Sequence, residues 1–378
     1  MRKLRLLPLV AALALPGCQT EESGPVTIRI FNRNPATGEY GEFDASFSTL
    51  ADAHTLRGAL GAVKTQATWL LSDNVQGSAG FLVEGSEAPL CAYHVRDGVW
   101  IPEDFDTAAM ASTYWGLDQS RSFFIRLGLG EAELTPMDIH FNPRVELAFP
   151  NIPTFWLFTD NAGYVPTLDA FQIIPHVYYK PEVPFFMNQG VLAHEYGHRV
   201  FALLAENGSR KAVDTEWSEP SQLQYDALNE ALSDVFAGTM TGNADFIADS
   251  VALEGRDMSV VRVMGDADVR KLITATTPEG EADLGPHGMG AFIAAALWQL
   301  GENVGDHERV ARAVIETERT MGAQLAAAPT SQFNLVEWFN LFSTHLSSSE
   351  QAAFCPLLKE RFSLLFEADS AHPLTACP

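Results

Sequence analysis

The chain has 378 residues, of which 47% are apolar and 19% are charged, and its formal net charge is −24. This length and composition are typical of a globular protein and exclude a chain that is disordered throughout. Because a strongly acidic surface repels phosphate backbones, we expect no nucleic acid among the partners.

The first 18 residues have the pattern of a bacterial lipoprotein signal peptide. A short basic stretch precedes an apolar run over 6–15, which is too short to span a bilayer. The run that ends at Cys18 resembles a lipobox, and this predicts lipidation of Cys18 as the first mature residue. We therefore predict an exported protein of the bacterial cell envelope, anchored to a membrane by lipid on the outer-membrane or periplasmic side, with 19–25 as a polar tether. Ordinary secretion is the alternative.

Three cysteines follow the predicted lipidation site. An exported protein meets conditions that permit disulfides, and a bridge between Cys355 and Cys377 would hold the C-terminal tail. We favour that pair, although sequence alone does not fix the connectivity, and Cys91 is then left over.

Residues 26–106 are predicted to form an N-terminal α+β region. Residues 26–31 alternate as a strand does, 47–71 have apolar residues at helical spacing, and 80–101 have the glycines and β-branched runs of a hairpin. The role of this region stays open between a pro-segment, an inhibitor-like cover and a binding module.

Residues 107–208 are predicted to form a β-rich lobe that begins with a helix over 107–127, capped by Asp106. Three strands are predicted after that helix: 137–141, 154–159 and 171–174. Residues 209–378 are predicted to form a helical lobe. The helices predicted around and within that lobe are 191–205, 222–240, 292–300, 308–324 and 336–345. This order favours an α+β fold with an active-site cleft between the two lobes.

The run HEYGH at 194–198 fits the pattern H-E-x-x-H within a predicted amphipathic helix. Side chains four residues apart share one face of a helix, so His194 and His198 can both face one metal ion. Glu195 lies one residue further on and can reach a water on that ion without being a ligand. A chance pentapeptide is the weaker interpretation, because the chain has only 10 histidines.

A catalytic zinc site needs a third protein ligand and an open fourth position. The run NEALSD at 229–234 offers Glu230 as that ligand, and Asp234 shares its helix face. Asp234 can therefore accept a hydrogen bond from a ligand imidazole and fix its orientation. Glu216 and Glu219 lie closer to the motif, but neither is in a convincing predicted helix, and Glu219 precedes a proline. The alternative for 229–234 is a solvated acidic helix face.

Together, HEYGH and NEALSD resemble the motifs of the gluzincin zinc metallopeptidases, most closely the thermolysin-like and fungalysin-like branch. The resemblance covers roughly residues 107–345. It implies a zincin-like two-lobed peptidase fold with one catalytic Zn²⁺ on His194, His198 and Glu230. It also implies that Glu195 is the catalytic base.

Two further segments resemble the same branch. The run that begins with Asn161 and Ala162 is similar to its edge strand, which pairs with the substrate backbone. The segment 285–290 is similar to the one that carries its distal catalytic histidine, which implies that His287 stabilises negative oxygen during the reaction. The acidic calcium ligand expected just before H-E-x-x-H is missing, because 188–190 read Asn-Gln-Gly. Calcium binding is therefore left open.

The implied function is a zinc-dependent metallopeptidase, an endopeptidase, acting on protein or peptide substrates. An aminopeptidase ranks lower, because the chain has no Gly-x-Met-Glu-Asn element to bind a free amine. The alternative of a different class is a non-catalytic surface lipoprotein of zincin fold that binds partners or metal. The presence of Glu195 argues against it, since a structural metal site has no use for a base. The sequence predicts no oligomeric state.

Overall fold

A computed structural model of the protein describes residues 25–75, 78–148, 155–157, 162–175, 183–206, 217–251, 255–280, 284–328 and 331–377. The protein has an α+β fold in which a β-rich first half precedes a helix-rich second half, so the predicted class and order are confirmed. Within these residues, no helix combines the length and the apolar character that a membrane crossing would require.

The strands of the described residues lie in three sheets, in the orders β2-β1-β9-β8, β13-β14-β10-β5-β4-β3 and β12-β11-β6-β7. Their bounds are β1 (Val26–Arg33), β2 (Tyr40–Phe47), β3 (Leu50–Asp52), β4 (Arg57–Gly58), β5 (Gly61–Lys64), β6 (Thr68–Val75), β7 (Ser78–Glu84), β8 (Tyr93–Arg96), β9 (Val99–Pro102), β10 (Met137–Phe141), β11 (Arg144–Ala148), β12 (Phe155–Leu157), β13 (Ala162–Val165) and β14 (Ala170–Ile173). The second sheet matters most for function, because its edge strand β13 faces the cleft described below.

The helices of the described residues, apart from α1, lie in the second half of the chain. Their bounds are α1 (Phe105–Leu127), α2 (Gln189–Phe201), α3 (Glu219–Thr241), α4 (Asp266–Thr274), α5 (Pro286–Val304), α6 (His307–Ala327), α7 (Leu335–Thr344), α8 (Ser348–Arg361) and α9 (Ser363–Ala368). Short 3₁₀ turns span Pro166–Leu168 and Phe185–Met187, and a π-helical turn, Ala202–Glu206, continues α2. Helices α2 and α3 pack together and carry the predicted metal ligands.

Helix α1 is largely buried and packs against α2. Asp104 caps it by accepting a hydrogen bond from the Thr107 amide, two residues earlier than the predicted cap Asp106. It ends at Gly128, whose φ of 111° lies in the left-handed region that favours glycine. Gly116 lets α2 approach closely, since a Cβ there would lie 2.3 Å from the Leu192 side chain.

The helix predicted over 47–71 is wrong. This stretch forms β3, β4, β5 and the start of β6, joined by tight turns. Leu50, Leu56, Leu60 and Val63 are nevertheless all buried, because each turn returns the chain to the same core. Apolar residues that recur at helical spacing can thus come from successive short strands, and here the pairing with distant strands decides the structure.

The predicted boundary at 106 does not separate two units, because strands from both sides of it share two sheets. Strand β5 pairs in parallel with β10, and β6 pairs in parallel with β11. The described residues between 25 and 104 form strands and no α-helix, so the α+β assignment of this region is wrong as well. Residues 26–106 are an integral part of the β-rich half.

Cys355 and Cys377 form a disulfide, the pair favoured from the sequence. It ties the C-terminal tail to α8. Cys91 is a free buried thiol, and burial raises its pKa to about 12. Cys18 lies outside the described residues.

Candidate metal centre

The close packing of α2 on α3 brings the two motifs together. Asn188 caps α2 through its side-chain oxygen, which accepts hydrogen bonds from the amides of Gly190 and Val191. Gly197 lies against Ser233, and a Cβ at 197 would be only 2.8 Å from the Ser233 Cα. The glycine within the H-E-x-x-H run therefore permits the short distance between the helices.

Three side chains from these helices converge on one point. His194 Nε2 and His198 Nε2 lie 2.9 Å apart, and the carboxylate oxygens of Glu230 lie 3.4 and 3.6 Å from them. One candidate ligand atom from each residue falls within 4.8 Å of the others. These residues, which the sequence analysis predicted as ligands, form a group that could hold a metal ion.

Hydrogen bonds on the outer side of each ring fix how the two imidazoles point. His194 Nδ1 donates to Asp234 Oδ1 at 2.9 Å, the contact predicted for Asp234. His198 Nδ1 donates to Asn229 Oδ1 at 2.9 Å, with the Ser233 hydroxyl 3.1 Å away. With Nδ1 as the donor on each ring, the Nε2 lone pairs face the cluster, as a metal ligand requires.

Glu195 stands beside the cluster and is not one of its three members. Its Oε2 accepts a hydrogen bond of 2.9 Å from the backbone amide of Tyr164. Burial raises the pKa of Glu195 to about 7, with the charge of His194 opposing the rise and that of Glu230 adding to it. A carboxyl group that titrates near neutrality is suited to accepting and returning a proton.

The two acids of α3 keep their charge despite burial. Burial alone would raise the pKa of Glu230, but the electrostatic effect of the adjacent His198 and His194 imidazoles, together with the His194 hydrogen bond, holds it well below its ordinary value. Burial would likewise raise the pKa of Asp234, and the charge of Arg256 together with the His194 hydrogen bond holds it low. The cluster therefore offers ionised oxygens to a cation.

Arg256 was not predicted from the sequence. Its buried guanidinium donates from Nε to Asp234 Oδ2 at 3.2 Å, and Nη2 lies 3.4 Å from Glu230 Oε2. The residue lies in an irregular segment between α3 and α4, where no spacing or periodicity marks it. Only the tertiary fold brings it to the site.

His287 lies at the mouth of the cluster, at the start of α5. Its Nε2 is 3.2 Å from Glu230 Oε2, and 52% of its side chain is exposed. Helix α5 approaches α3 through Gly290, where a Cβ would lie 2.6 Å from the Ala227 carbonyl oxygen. The predicted His287 is therefore brought to the cluster but stays accessible to a substrate.

A cleft of about 300 Å³ opens onto the cluster. The edge strand β13 forms one side of the cleft and begins with Ala162, which is buried and was predicted to bind substrate. Asn161, the other predicted substrate-binding residue, lies outside the described residues. Apolar side chains line another part of the cleft: Phe185, Val191, Ile247 and Val251. The cleft thus combines a strand at the edge of its sheet, an apolar surface and the polar cluster.

Asn188 also anchors the segment that carries part of this apolar surface. Its side-chain nitrogen donates to the Phe246 carbonyl at 3.0 Å and to the Ser250 hydroxyl at 2.8 Å. Asn188 is fully buried and stands at the place where the gluzincin resemblance would put an acidic calcium ligand. Across the described ranges, no second group of three or more His, Cys, Asp or Glu side chains has the geometry to hold an ion.

Comparison of the chain with protein-family models finds no matching family, and comparison with curated proteins finds no matching protein. The likeness to the gluzincin motifs therefore remains a resemblance carried by HEYGH and NEALSD.

Proposed function

We propose that the protein is a zinc-dependent metalloendopeptidase with a zincin-like two-lobed fold. The observation that carries this proposal is the convergence of His194, His198 and Glu230, with the Nε2 lone pairs turned inward and Glu195 beside them. Three protein ligands with an adjacent base are typical of a catalytic metal site, whereas structural zinc sites have four closed ligands.

Zinc suits this donor set better than the hard cations do. Neutral imidazole nitrogens together with one carboxylate are ligands that zinc prefers, while calcium and magnesium prefer oxygen ligands throughout. His194, His198 and Glu230 would hold the ion. When bound, zinc supplies a Lewis acid that makes water more acidic and polarises a carbonyl group.

Glu195 performs the proton transfers in the proposed reaction. It accepts a proton from the attacking water and delivers it to the amine that leaves when the peptide bond breaks. The Tyr164 amide holds one oxygen of the carboxylate and so fixes its direction. His287 is placed to donate a hydrogen bond to the oxygen on which negative charge develops.

The cleft supports an extended peptide as the substrate. Strand β13 pairs with β14 on one side and is the last strand of its sheet within the described residues, so a peptide can add to its outer edge. The apolar surface formed by Phe185, Val191, Ile247 and Val251 would receive an apolar side chain next to the scissile bond. The substrate class is therefore a protein or peptide, which the enzyme would meet at the cell envelope if Cys18 is lipidated.

The test compares three forms of the chain from Gln19 onwards: wild type, Glu195→Gln and Glu318→Gln. Glu318 is a matched control, because it is a buried glutamate of α6 that does not line the cleft. We expect about one zinc per chain in all three, and cleavage of an unfolded protein by wild type and Glu318→Gln only.

If the wild type binds zinc but cleaves nothing, the peptidase proposal is contradicted and the alternative of a non-catalytic metal-binding lipoprotein is favoured. Absence of zinc from the wild type would contradict the metal site itself. If Glu195→Gln is as active as the wild type, Glu195 is not the catalytic base.

A further inference from the structure

We infer that Arg199 and Asp169 form a clamp that positions the edge strand β13 against Glu195. The clamp would keep β13, on which the substrate would lie, at a fixed distance from Glu195, the proposed base. This inference rests on the proposed peptidase function and adds two positioning residues to it, neither of which contacts the metal ligand atoms.

Arg199 follows the second histidine of the motif and points away from the cluster. Its side chain is fully buried, and it donates from Nε to Asp169 Oδ1 at 2.8 Å and from Nη2 to Asp169 Oδ2 at 3.1 Å. The remaining donors contact the Thr135 carbonyl at 2.6 Å and the Tyr196 hydroxyl at 3.1 Å. A guanidinium with this bidentate geometry fixes its partner in direction as well as in distance.

Asp169 forms the turn between β13 and β14. Its φ of 42° is in the left-handed region, which is unfavourable for a residue with a Cβ, so the surrounding contacts must hold it there. Its amide donates to the Pro166 carbonyl at 3.2 Å, and its side chain accepts the two bonds from Arg199 and a third of 3.1 Å from the Tyr164 hydroxyl. Arg199 therefore ties this turn to α2.

Tyr164 connects the clamp to the catalytic base. Its hydroxyl donates to Asp169, while its backbone amide donates to Glu195 Oε2. Its ring packs on Phe171 of β14, with the ring centroids 5.2 Å apart. One residue of the edge strand thus contacts both groups.

The two attachment points lie one turn apart on the same helix. Glu195 and Arg199 are four residues apart in α2 and therefore share a face. Among the described strands, β13 pairs only with β14, and these two attachments add directed polar contacts to the packing of Tyr196 of α2 on Phe171 of β14. A displacement of about 1 Å between reacting groups can lower a rate by about 10²-fold, so an attachment at this place affects catalysis.

The experiment uses zinc-loaded chain from Gln19 onwards and three variants: Asp169→Asn, Tyr164→Phe and their double variant. Asp44→Asn is the control, since it breaks an ion pair with Arg29 that also joins two parts of a sheet but lies on the surface. The measurements are amide hydrogen exchange in 162–173, zinc content, and kcat and KM on an unstructured peptide.

We expect Asp169→Asn to speed exchange at the Tyr164 amide and to lower kcat by roughly 10- to 100-fold. Zinc content should stay unchanged. Tyr164→Phe removes a single hydroxyl and should have a smaller effect in the same direction. The double variant should be no worse than Asp169→Asn, because both changes break one connected unit. Asp44→Asn should change neither quantity.

Unchanged exchange in 162–173 would overturn the clamp. Faster exchange with an unchanged kcat would overturn the role in catalysis, because the pair would then only stabilise the fold. If Asp169→Asn does not fold, Tyr164→Phe decides between these outcomes. If the wild type cleaves nothing, the proposed function fails, and the exchange rates of the variants still decide whether Arg199 and Asp169 hold the strand.

Discussion

The two sides of the cleft differ in how firmly their functional groups are held. On the helical side, His194 and His198 each have a hydrogen-bonding partner on α3, and the cluster is largely buried. On the strand side, β13 pairs with β14 alone among the described strands, and it contacts Glu195 through the backbone amide of Tyr164. The candidate metal ligands are therefore held by the packing of two helices, whereas the strand proposed to align the substrate is held against α2 by a few polar contacts.

The largest effect on metal affinity and activity is expected from a change of Glu230, on the helical side of the cleft. The change Glu230→Gln removes the charged ligand between two imidazoles, so metal affinity should fall by more than roughly 100-fold and activity should fall to background. Competition for zinc with a chelating dye measures the affinity. Glu337→Gln changes an exposed glutamate and should behave as wild type. Unchanged affinity in Glu230→Gln would mean that the metal binds elsewhere.

A second, smaller effect is expected at the mouth of the cleft. The change His287→Phe removes a hydrogen-bond donor to the developing negative oxygen, so kcat should fall by about 10²- to 10³-fold. Zinc content should not change, because His287 is outside the three-residue ligand group. Steady-state kinetics and metal analysis on the same sample test both statements. A loss of zinc would show that His287 contributes to metal binding.

The outer contacts of the imidazoles should matter less than the ligands themselves. The change Asp234→Asn keeps the shape of the side chain but removes the negative charge of the group that accepts the hydrogen bond from His194 Nδ1, so metal affinity should fall by about 10- to 100-fold. Asn229→Ala should have a weaker effect, because the Ser233 hydroxyl still lies next to the His198 ring. Equal losses in the two variants would contradict the special role of the carboxylate.

The smallest effect is expected from loosening the apolar part of the cleft. The change Asn188→Ala removes the cap of α2 and the bonds to Phe246 and Ser250, so the free energy of unfolding should fall by ~1–2 kcal/mol. We also expect a raised KM at unchanged zinc content, measured beside urea unfolding. Asn340→Ala breaks comparable bonds to the C-terminal tail and should lower stability alone. If Asn188→Ala and Asn340→Ala have the same KM, Asn188 does not shape the substrate-binding part of the cleft.

The grouping of His194, His198 and Glu230 could be predicted because its signal is local. Two histidines four residues apart, and an acid pair on the next helix, define faces of helices that packing then brings together. Helix α3 begins at Glu219, earlier than the predicted start at 222, and contains Pro220. Proline is tolerated in the first turn, and Ser218 caps the helix just before it.

The parts that could not be predicted depend on contacts between distant segments. Arg256 and Arg199 are single residues whose partners lie 22 and 30 positions away. No periodicity marks such residues, and their burial becomes visible only when the fold surrounds them. The strands within 47–71 were missed for the same reason, because a short strand is defined by its partner.

The parallel pairing of β5 with β10 has a consequence for how the chain is made and processed. Strand β5 cannot pair with β10 until α1 and β10 have been synthesised, so the early part of this sheet, β3 to β5, is made well before the strand that completes it. The same pairing means that proteolytic removal of residues 26–106 would strip β5 from β10 and β6 from β11. That region therefore cannot be shed as a pro-segment without unpairing the strands that support the cleft.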